Sequence, residues 1–183
     1  MLKVIAIIGE PGSGKTSLVR KLLEMGDWET GKSSDHKLVT YHRRGNVFVL
    51  GKYEDGVLFA GTDTMSMAVQ PQAIEFLAEL ANTDSVVLYE GDRLTTQSFL
   101  EHVVDNYDAH ILYIKTKEAT RQQRFIERGS NQNEQFVRSR ETKLKNLRSN
   151  FGLAPYITEL ENETPEEQAS NIQTILELIG DMK

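Results

Sequence analysis

The sequence predicts an α/β protein: a five-stranded, mostly parallel sheet with helices on both faces, three layers in all, plus a β-hairpin insertion. Three observations predict it. Short apolar runs alternate with amphipathic stretches along most of the 183 residues, a pattern in which covering helices join parallel strands. The first apolar run leads through a Gly/Pro/Ser loop directly into a helical stretch. Residues 38–62 break the alternation with closely spaced strands and turns, which marks an insertion.

The elements follow in order. KVIAII at 3–8 is an apolar run of buried-strand type. In the helix expected over 16–25, Leu18, Val19, Leu22 and Leu23 share one face. The insertion reads LVTYH, a turn at RRGN, VFVLGKY, a turn at EDG, then VLFAGT. Pro71 suits the first turn of a helix running to about residue 81, with Ile74, Leu77 and Leu80 inward. Strands follow at 85–89 and 110–114, separated by a helix near 96–105. Two polar helices around 117–128 and 133–149 flank GSNQN, and a last strand covers 156–160. Thr164-Pro165-Glu166-Glu167 is a capping box that opens the final helix, and Gly180 ends it. Without repeats or linkers, residues 1–183 read as a single domain.

Composition narrows the function classes. Hydrophobic residues make up 39% and charged residues 26%, which is globular. The absence of cysteine removes disulfides, thiolate metal sites and cysteine nucleophiles, and the four histidines show no ligand spacing. No apolar run reaches the ~18 residues of a membrane span, so a cytosolic domain with no membrane partner is expected. A net charge of −6 argues against coating nucleic acid by bulk electrostatics. Charge is segregated, however: residues 32–52 carry Lys32, Lys37, Arg43, Arg44 and Lys52 against Asp35 alone. Residues 115–148 carry ten basic residues against four acids, while 53–114 hold eleven acids and only Arg93. Localised contacts to phosphates are one reading of the two basic segments; solvated faces are the other.

Gly9-Glu10-Pro11-Gly12-Ser13-Gly14-Lys15-Thr16, followed by Ser17, fits G-x-x-x-x-G-K-[ST] without a mismatch, between a strand and a helix. Its glycines let backbone N–H groups converge on one concavity, and the helix N-terminus adds partial positive charge. Lys15 is placed to reach the β- and γ-phosphates, and Thr16 to bring its hydroxyl to magnesium. Nucleoside triphosphate binding follows, with ATP and Mg²⁺ as the expected cofactors. On this loop, the acids at 86–93, the arginines at 121–140 and the last strand and helix, the chain resembles the P-loop kinases over nearly its whole length. The resemblance implies a P-loop NTPase fold and a lid after the fourth strand, here 117–149.

In open α/β sheets the chemistry lies beyond the C-terminal strand ends. VVLYEGDR puts Glu90 and Asp92 after an apolar strand, where a magnesium-organising carboxylate belongs, and either could serve. The acid-plus-arginine pattern is similar to that of nucleoside and thymidylate kinases, which implies that Arg93 contacts phosphate near the acceptor. VLFAGTDTM places Asp63 after another expected strand. A hydroxyl acceptor benefits from a carboxylate that takes its proton, whereas a phosphate acceptor needs arginines. Residues 53–92 offer acids and no arginine or lysine. Asp63 therefore suits a base facing an alcohol; a helix-capping or turn role is the competing reading.

Arg121, Arg124 and Arg128 are spaced to share one helix face. In a lid they supply positive charge that closes over the phosphates, with Arg124 and Arg128 favoured and GSNQN as the hinge. The basic stretch 32–52 offers a track for a polynucleotide, and Tyr41, Phe48 and Tyr53 suit either base stacking or hairpin packing. The expected activity is transfer of the γ-phosphate to a hydroxyl on a nucleotide or nucleic acid. Phage-type kinases of 5-hydroxymethyluracil in DNA are the most specific resemblance. A nucleoside or nucleoside monophosphate kinase, or a non-kinase NTPase, are the alternatives.

Overall fold

β1 (Lys3–Ile8) is central, and everything that places the phosphate loop is built around it. In the computed structural model, which describes residues 1–55, 59–129 and 133–181, β1 is followed by α1 (Lys15–Glu24) and the strands β2 (Glu29–Lys32), β3 (Thr40–Arg44) and β4 (Val47–Leu50). Then come α2 (Val69–Leu80), β5 (Val86–Glu90), α3 (Gln97–Asn106), β6 (Asp108–Lys115), α4 (Glu118–Glu127), α5 (Glu134–Arg148), β7 (Ile157–Glu161) and α6 (Pro165–Ile179). The strand order is β2-β3-β4-β5-β1-β6-β7.

The described residues thus form a seven-stranded sheet, not a five-stranded one. The segment from β4 through β7 is parallel throughout, and β3 and β2 extend it antiparallel beyond β4. β2 escapes a pattern search because its ETGK run has no apolar face: three of its four residues are exposed at the sheet edge. The described part of the strand expected at 57–62, from Phe59 on, is the opposite case. Val57 and Leu58 lie outside the described residues, Lys52 and Gly61 form only an isolated bridge, and Thr62–Thr64 is a 3₁₀ turn.

The apolar run of β1 is continuous because both faces are covered. Val4, Ala6 and Ile8 point into a core shared with α2, α3 and α5, and Ile5 and Ile7 into one shared with α1 and α6. Each valine or isoleucine among them contributes about 1.5–3 kcal/mol by leaving water. The Thr164 cap of α6 forms as its sequence predicts, Thr164 accepting from Glu167 N–H and Glu167 reaching back.

Register decides where the site lies. Ile7 is level with Glu90 of β5 and with Leu112 of β6. The loop after β1, the end of β5 and the residue after β6 therefore emerge at one edge.

Candidate active site

Residues 9–16 curl from the end of β1 into α1. Gly14 sits at the helix N-cap with φ +98°, and a Cβ there would lie 2.5 Å from the Asn162 side-chain nitrogen, so glycine alone fits. No side chain caps α1 and no acid occupies its first turn, which leaves the N–H groups around Lys15, Thr16 and Ser17 for an anion. Lys15 folds back on the loop, its ammonium 2.8 Å from Gly9 O and 3.0 Å from Glu10 O. Burial pulls its pKa below the ordinary value, opposed by the nearby Glu90, Asp63, Glu10 and Asp92 carboxylates. Glu10 turns its carboxylate away to accept from the Tyr113 hydroxyl, and Pro11 and Gly12 shape the loop's partly buried rim.

The loop is held from behind by groups the motif does not mention. Asn162, 1% exposed at the end of β7, donates to Ser13 O at 2.7 Å, and Thr116 donates to the same oxygen at 3.1 Å. Asn171 of α6 in turn donates to Asn162 Oδ1 at 3.3 Å. Asn162→Ala removes two buried hydrogen bonds, although Ser13 O keeps Thr116 and the Asn171 amide keeps Glu161 O, a loss of about 1–3 kcal/mol. Its thermal unfolding midpoint should fall, and nucleotide affinity with it; an unchanged midpoint would refute this account of the loop.

Glu90 faces the loop across the sheet edge. Its carboxylate accepts from the Thr16 hydroxyl at 3.1 Å and is 3% exposed. Burial raises its pKa to about 7, only partly offset by Lys15. The buried Tyr53 hydroxyl lies beside it, and burial first, then Glu90, pushes that phenol well above its usual range. Gly61 packs against Glu90 so closely that a Cβ would stand 2.4 Å from Glu90 Oε1, at φ +64°. That contact carries the turn holding Asp63 to the phosphate end.

Folded Glu90 holds its proton more tightly than the unfolded chain does. Its contribution to stability is therefore full below about pH 4.5 and is lost as pH rises through about 7. For metal-free protein the change is of the order of 3 kcal/mol. Glu90→Gln should remove this slope in denaturant unfolding between pH 5 and 8; an unaltered slope would exclude Glu90 as its source.

Asp92, two residues on, is engaged elsewhere. It pairs with Arg140 at 2.5 Å and Lys143 at 2.8 Å, both on α5. Its backbone N–H donates to Asp63 Oδ1 at 2.8 Å. Thus Glu90, rather than Asp92, shares a hydrogen bond with Thr16, and Asp63 joins the same cluster. Arg93 is partly buried, with its Nε 3.4 Å from Met65 O.

The three arginines expected in a lid do not act as a unit. Arg124 lies against the loop, donating to Gly12 O at 3.0 Å and Asn162 O at 2.8 Å. Arg121 is buried and paired with Glu141 of α5 at 2.9 Å, which ties α4 to α5. Arg128 is exposed at the end of α4 and makes no side-chain hydrogen bond or ion pair among the described residues. The structure therefore does not bring Arg128 to the loop, against expectation. Of the expected hinge, residues 130–132 lie outside the described residues.

A family model described as P-loop Nucleotide Kinase3 matches residues 1–177. The chain belongs to that family. This kinase is similar in fold to a sugar kinase from Janibacter sp. HTCC2649, at TM-score 0.55 and 13% identity over 97% of this chain and 96% of that one. A shikimate kinase from Acinetobacter baumannii in complex with shikimate matches at TM-score 0.48 and 19% identity, over 98% and 93% of the two chains. A gluconokinase from Sinorhizobium meliloti 1021 matches at 0.49 and 13%, over 96% and 94%. No curated protein matches the sequence.

The kinase departs from its sequence reading in the insertion. β3 runs antiparallel to β4, so the Arg43-Arg44 turn pairs with the start of β4, at the far end of the sheet from the phosphate loop. Four residues of β4, about 13 Å at ~3.3 Å each, separate the two ends. Arg43 lies over the Phe48 ring, while Tyr41, Phe48 and Phe76 pack on one another. These aromatics build core. At the site end instead are Lys32, paired with Thr40, and Lys52, which follows Gly51. Lys37 joins them on the β2–β3 loop; all three are exposed, with Asp35, Glu54 and Asp55 interspersed.

Sequence reasoning missed Lys143, Thr116 and Asn162, and it placed Arg140 among the lid arginines and Tyr53 among the hairpin aromatics without seeing that they meet Asp92 and Glu90. Only the spacing of Arg140 and Lys143 on one helix face carried a signal. Among the described residues no helix is long and apolar enough to cross a membrane.

Proposed function

We propose that this kinase moves the γ-phosphate of ATP to a hydroxyl on a nucleotide or nucleic acid, with 5-hydroxymethyluracil in DNA as the acceptor. The observation that carries the hydroxyl reading is Asp63. One of its oxygens is fixed by the Asp92 N–H, and it lies near enough to Lys15 and Glu90 to perturb both. A carboxylate fixed there suits taking the proton that an alcohol loses on attack.

Magnesium fits the residues present. Thr16 and Glu90 offer hard oxygens side by side, and the buried Glu90 carboxylate lacks a cation partner close enough to restore its ordinary pKa. Among the described residues no group of three or more His, Asp or Glu side chains stands ready for a metal. The ion would therefore share its shell with phosphates and water, where it neutralises charge on the transferred group. Lys15 holds the phosphates, and Arg124 stiffens the loop from the lid. Arg93, with a partly buried guanidinium beside the Asp63 turn, is the acceptor-side cation.

The DNA reading draws on the resemblance and on the lysine edge. Lys32, Lys37 and Lys52 are exposed at the end where an acceptor would enter, and a base inside a duplex would be flipped out to reach Asp63. Replacing all three by alanine should flatten the salt dependence of DNA binding, by about one unit of slope for each phosphate that a lysine neutralises. Arg43→Ala with Arg44→Ala should leave it unchanged. The reverse ranking would move the track to the far end of the sheet.

The deciding experiment is a transfer panel with labelled ATP. The acceptors are duplex DNA with 5-hydroxymethyluracil, unmodified DNA, free nucleosides and monophosphates. Label on the modified duplex alone is the expected result. Label on free nucleosides would favour the alternative nucleoside kinase, to which Arg93 also points; label on monophosphates alone would overturn the hydroxyl reading.

A further inference from the structure

One carboxylate beside the proposed acceptor position is saturated by two lid cations. Asp92 Oδ2 is ion-paired with Arg140 at 2.5 Å, and Oδ1 accepts from Lys143 at 2.8 Å. All three side chains are about three-quarters buried, between 24% and 29% exposed. Arg140 and Lys143 are three residues apart on α5, so they present one face. Glu141 between them is taken by Arg121 of α4. Leu144 and Leu147, buried in the core, fix the helix that carries them. Among the described residues, Asp92 is the only acid paired with either cation. Its own position is fixed in turn by its N–H on Asp63.

Two converging cations, one a guanidinium, form the arrangement that binds a phosphate group. Without Asp92 this would be an anion site next to Asp63. A phosphate-bearing acceptor entering the intact protein would have to displace a carboxylate and then face Asp63. An acceptor presenting an isolated hydroxyl meets no such competition.

We propose that Asp92 is an acceptor-specificity residue: its carboxylate is a built-in anion that fills the phosphate position formed by Arg140 and Lys143, and so excludes acceptors with a phosphate next to the reacting oxygen. This rests on the hydroxyl-acceptor reading above. In a nucleotide embedded in DNA the phosphates lie along the backbone, away from the extruded base, so exclusion at this position does not penalise it.

The test uses the full chain with the phosphate loop filled by a non-hydrolysable ATP analogue and Mg²⁺, its filling checked first by titration. Inorganic phosphate is then titrated calorimetrically into wild type, Asp92→Asn and Asp92→Ala. Both variants should bind phosphate at least tenfold more tightly than wild type. Adding Arg140→Met and Lys143→Met should abolish the gain. Asp92→Asn preserves size and the N–H to Asp63, so it reports even if the alanine variant does not fold, which circular dichroism checks.

A phosphate affinity within twofold of wild type in folded Asp92→Asn overturns the inference, as does a gain that survives removal of both cations. A deoxynucleoside monophosphate should likewise gain at least tenfold in kcat/KM relative to hydroxyl acceptors in the variants. Failure of the hydroxyl reading looks different: wild type itself would then phosphorylate monophosphates.

Discussion

Asp63→Asn is expected to lower the turnover number by about 10²–10⁴-fold, the usual contribution of a positioned general base. The substitution keeps the side chain's size, and its carbonyl oxygen can still accept from the Asp92 N–H. The turn after Gly61 should therefore stay in place while the proton acceptor is removed. ATP affinity should hardly change, because Asp63 lies on the Glu90 side of the loop and makes no hydrogen bond to residues 9–16. The measurement is kcat and KM for both substrates. An effect below about tenfold would assign Asp63 the turn-forming role that its bond to Asp92 already gives it, and would return the monophosphate kinase to first place.

Lys15→Ala is expected to cost about 10²–10³-fold in kcat, the scale for removing one preorganised charge from a transferring group. The side chain reaches two loop carbonyls and no apolar neighbour among its hydrogen-bond partners, so the protein should remain folded. Circular dichroism and a thermal scan check that. Near-normal turnover in folded Lys15→Ala would remove the nucleotide from this loop. The two variants separate cleanly: the Lys15 defect should appear with every acceptor, and the Asp63 defect only where the acceptor oxygen carries a proton.

Legibility in the sequence followed the range of the interactions. The loop at 9–16, the alternation of β1, β5, β6 and β7 with helices, and the Thr164 cap are local patterns, each readable within a window of a dozen residues. What failed to show was non-local. β2 has no apolar periodicity and exists because β3 offers it a partner. Phe59 and Ala60 are apolar, yet Gly61 is drawn onto Glu90 and the chain turns at Thr62–Thr64. Asn162 stands nearly 150 residues from the Ser13 oxygen it supports, and nothing about a single asparagine announces that.

Charges were the least legible of all. Composition put Arg43 and Arg44 with the substrate, but the antiparallel return of β3 carries them to the opposite end. Glu90 and Asp92 read as equivalents, and they differ only because one meets Thr16 and the other meets α5. Arg121 and Arg124 are one helical turn apart; Glu141 claims the first and the phosphate loop the second.

The central position of β1 has a consequence for synthesis on the ribosome. β1 is made well before its two neighbours, β5 and β6, which end at residues 90 and 115. At about 5–20 residues per second, roughly 5–20 s pass before both partners exist. During that interval VIAII is an unpaired, strongly β-forming segment, the kind that nascent chains aggregate through. Lys3 and Glu10 bracket it with charge, as gatekeepers do. The phosphate loop inherits the delay, because its first residue hangs from a strand that has no sheet to join until residue 115 has emerged.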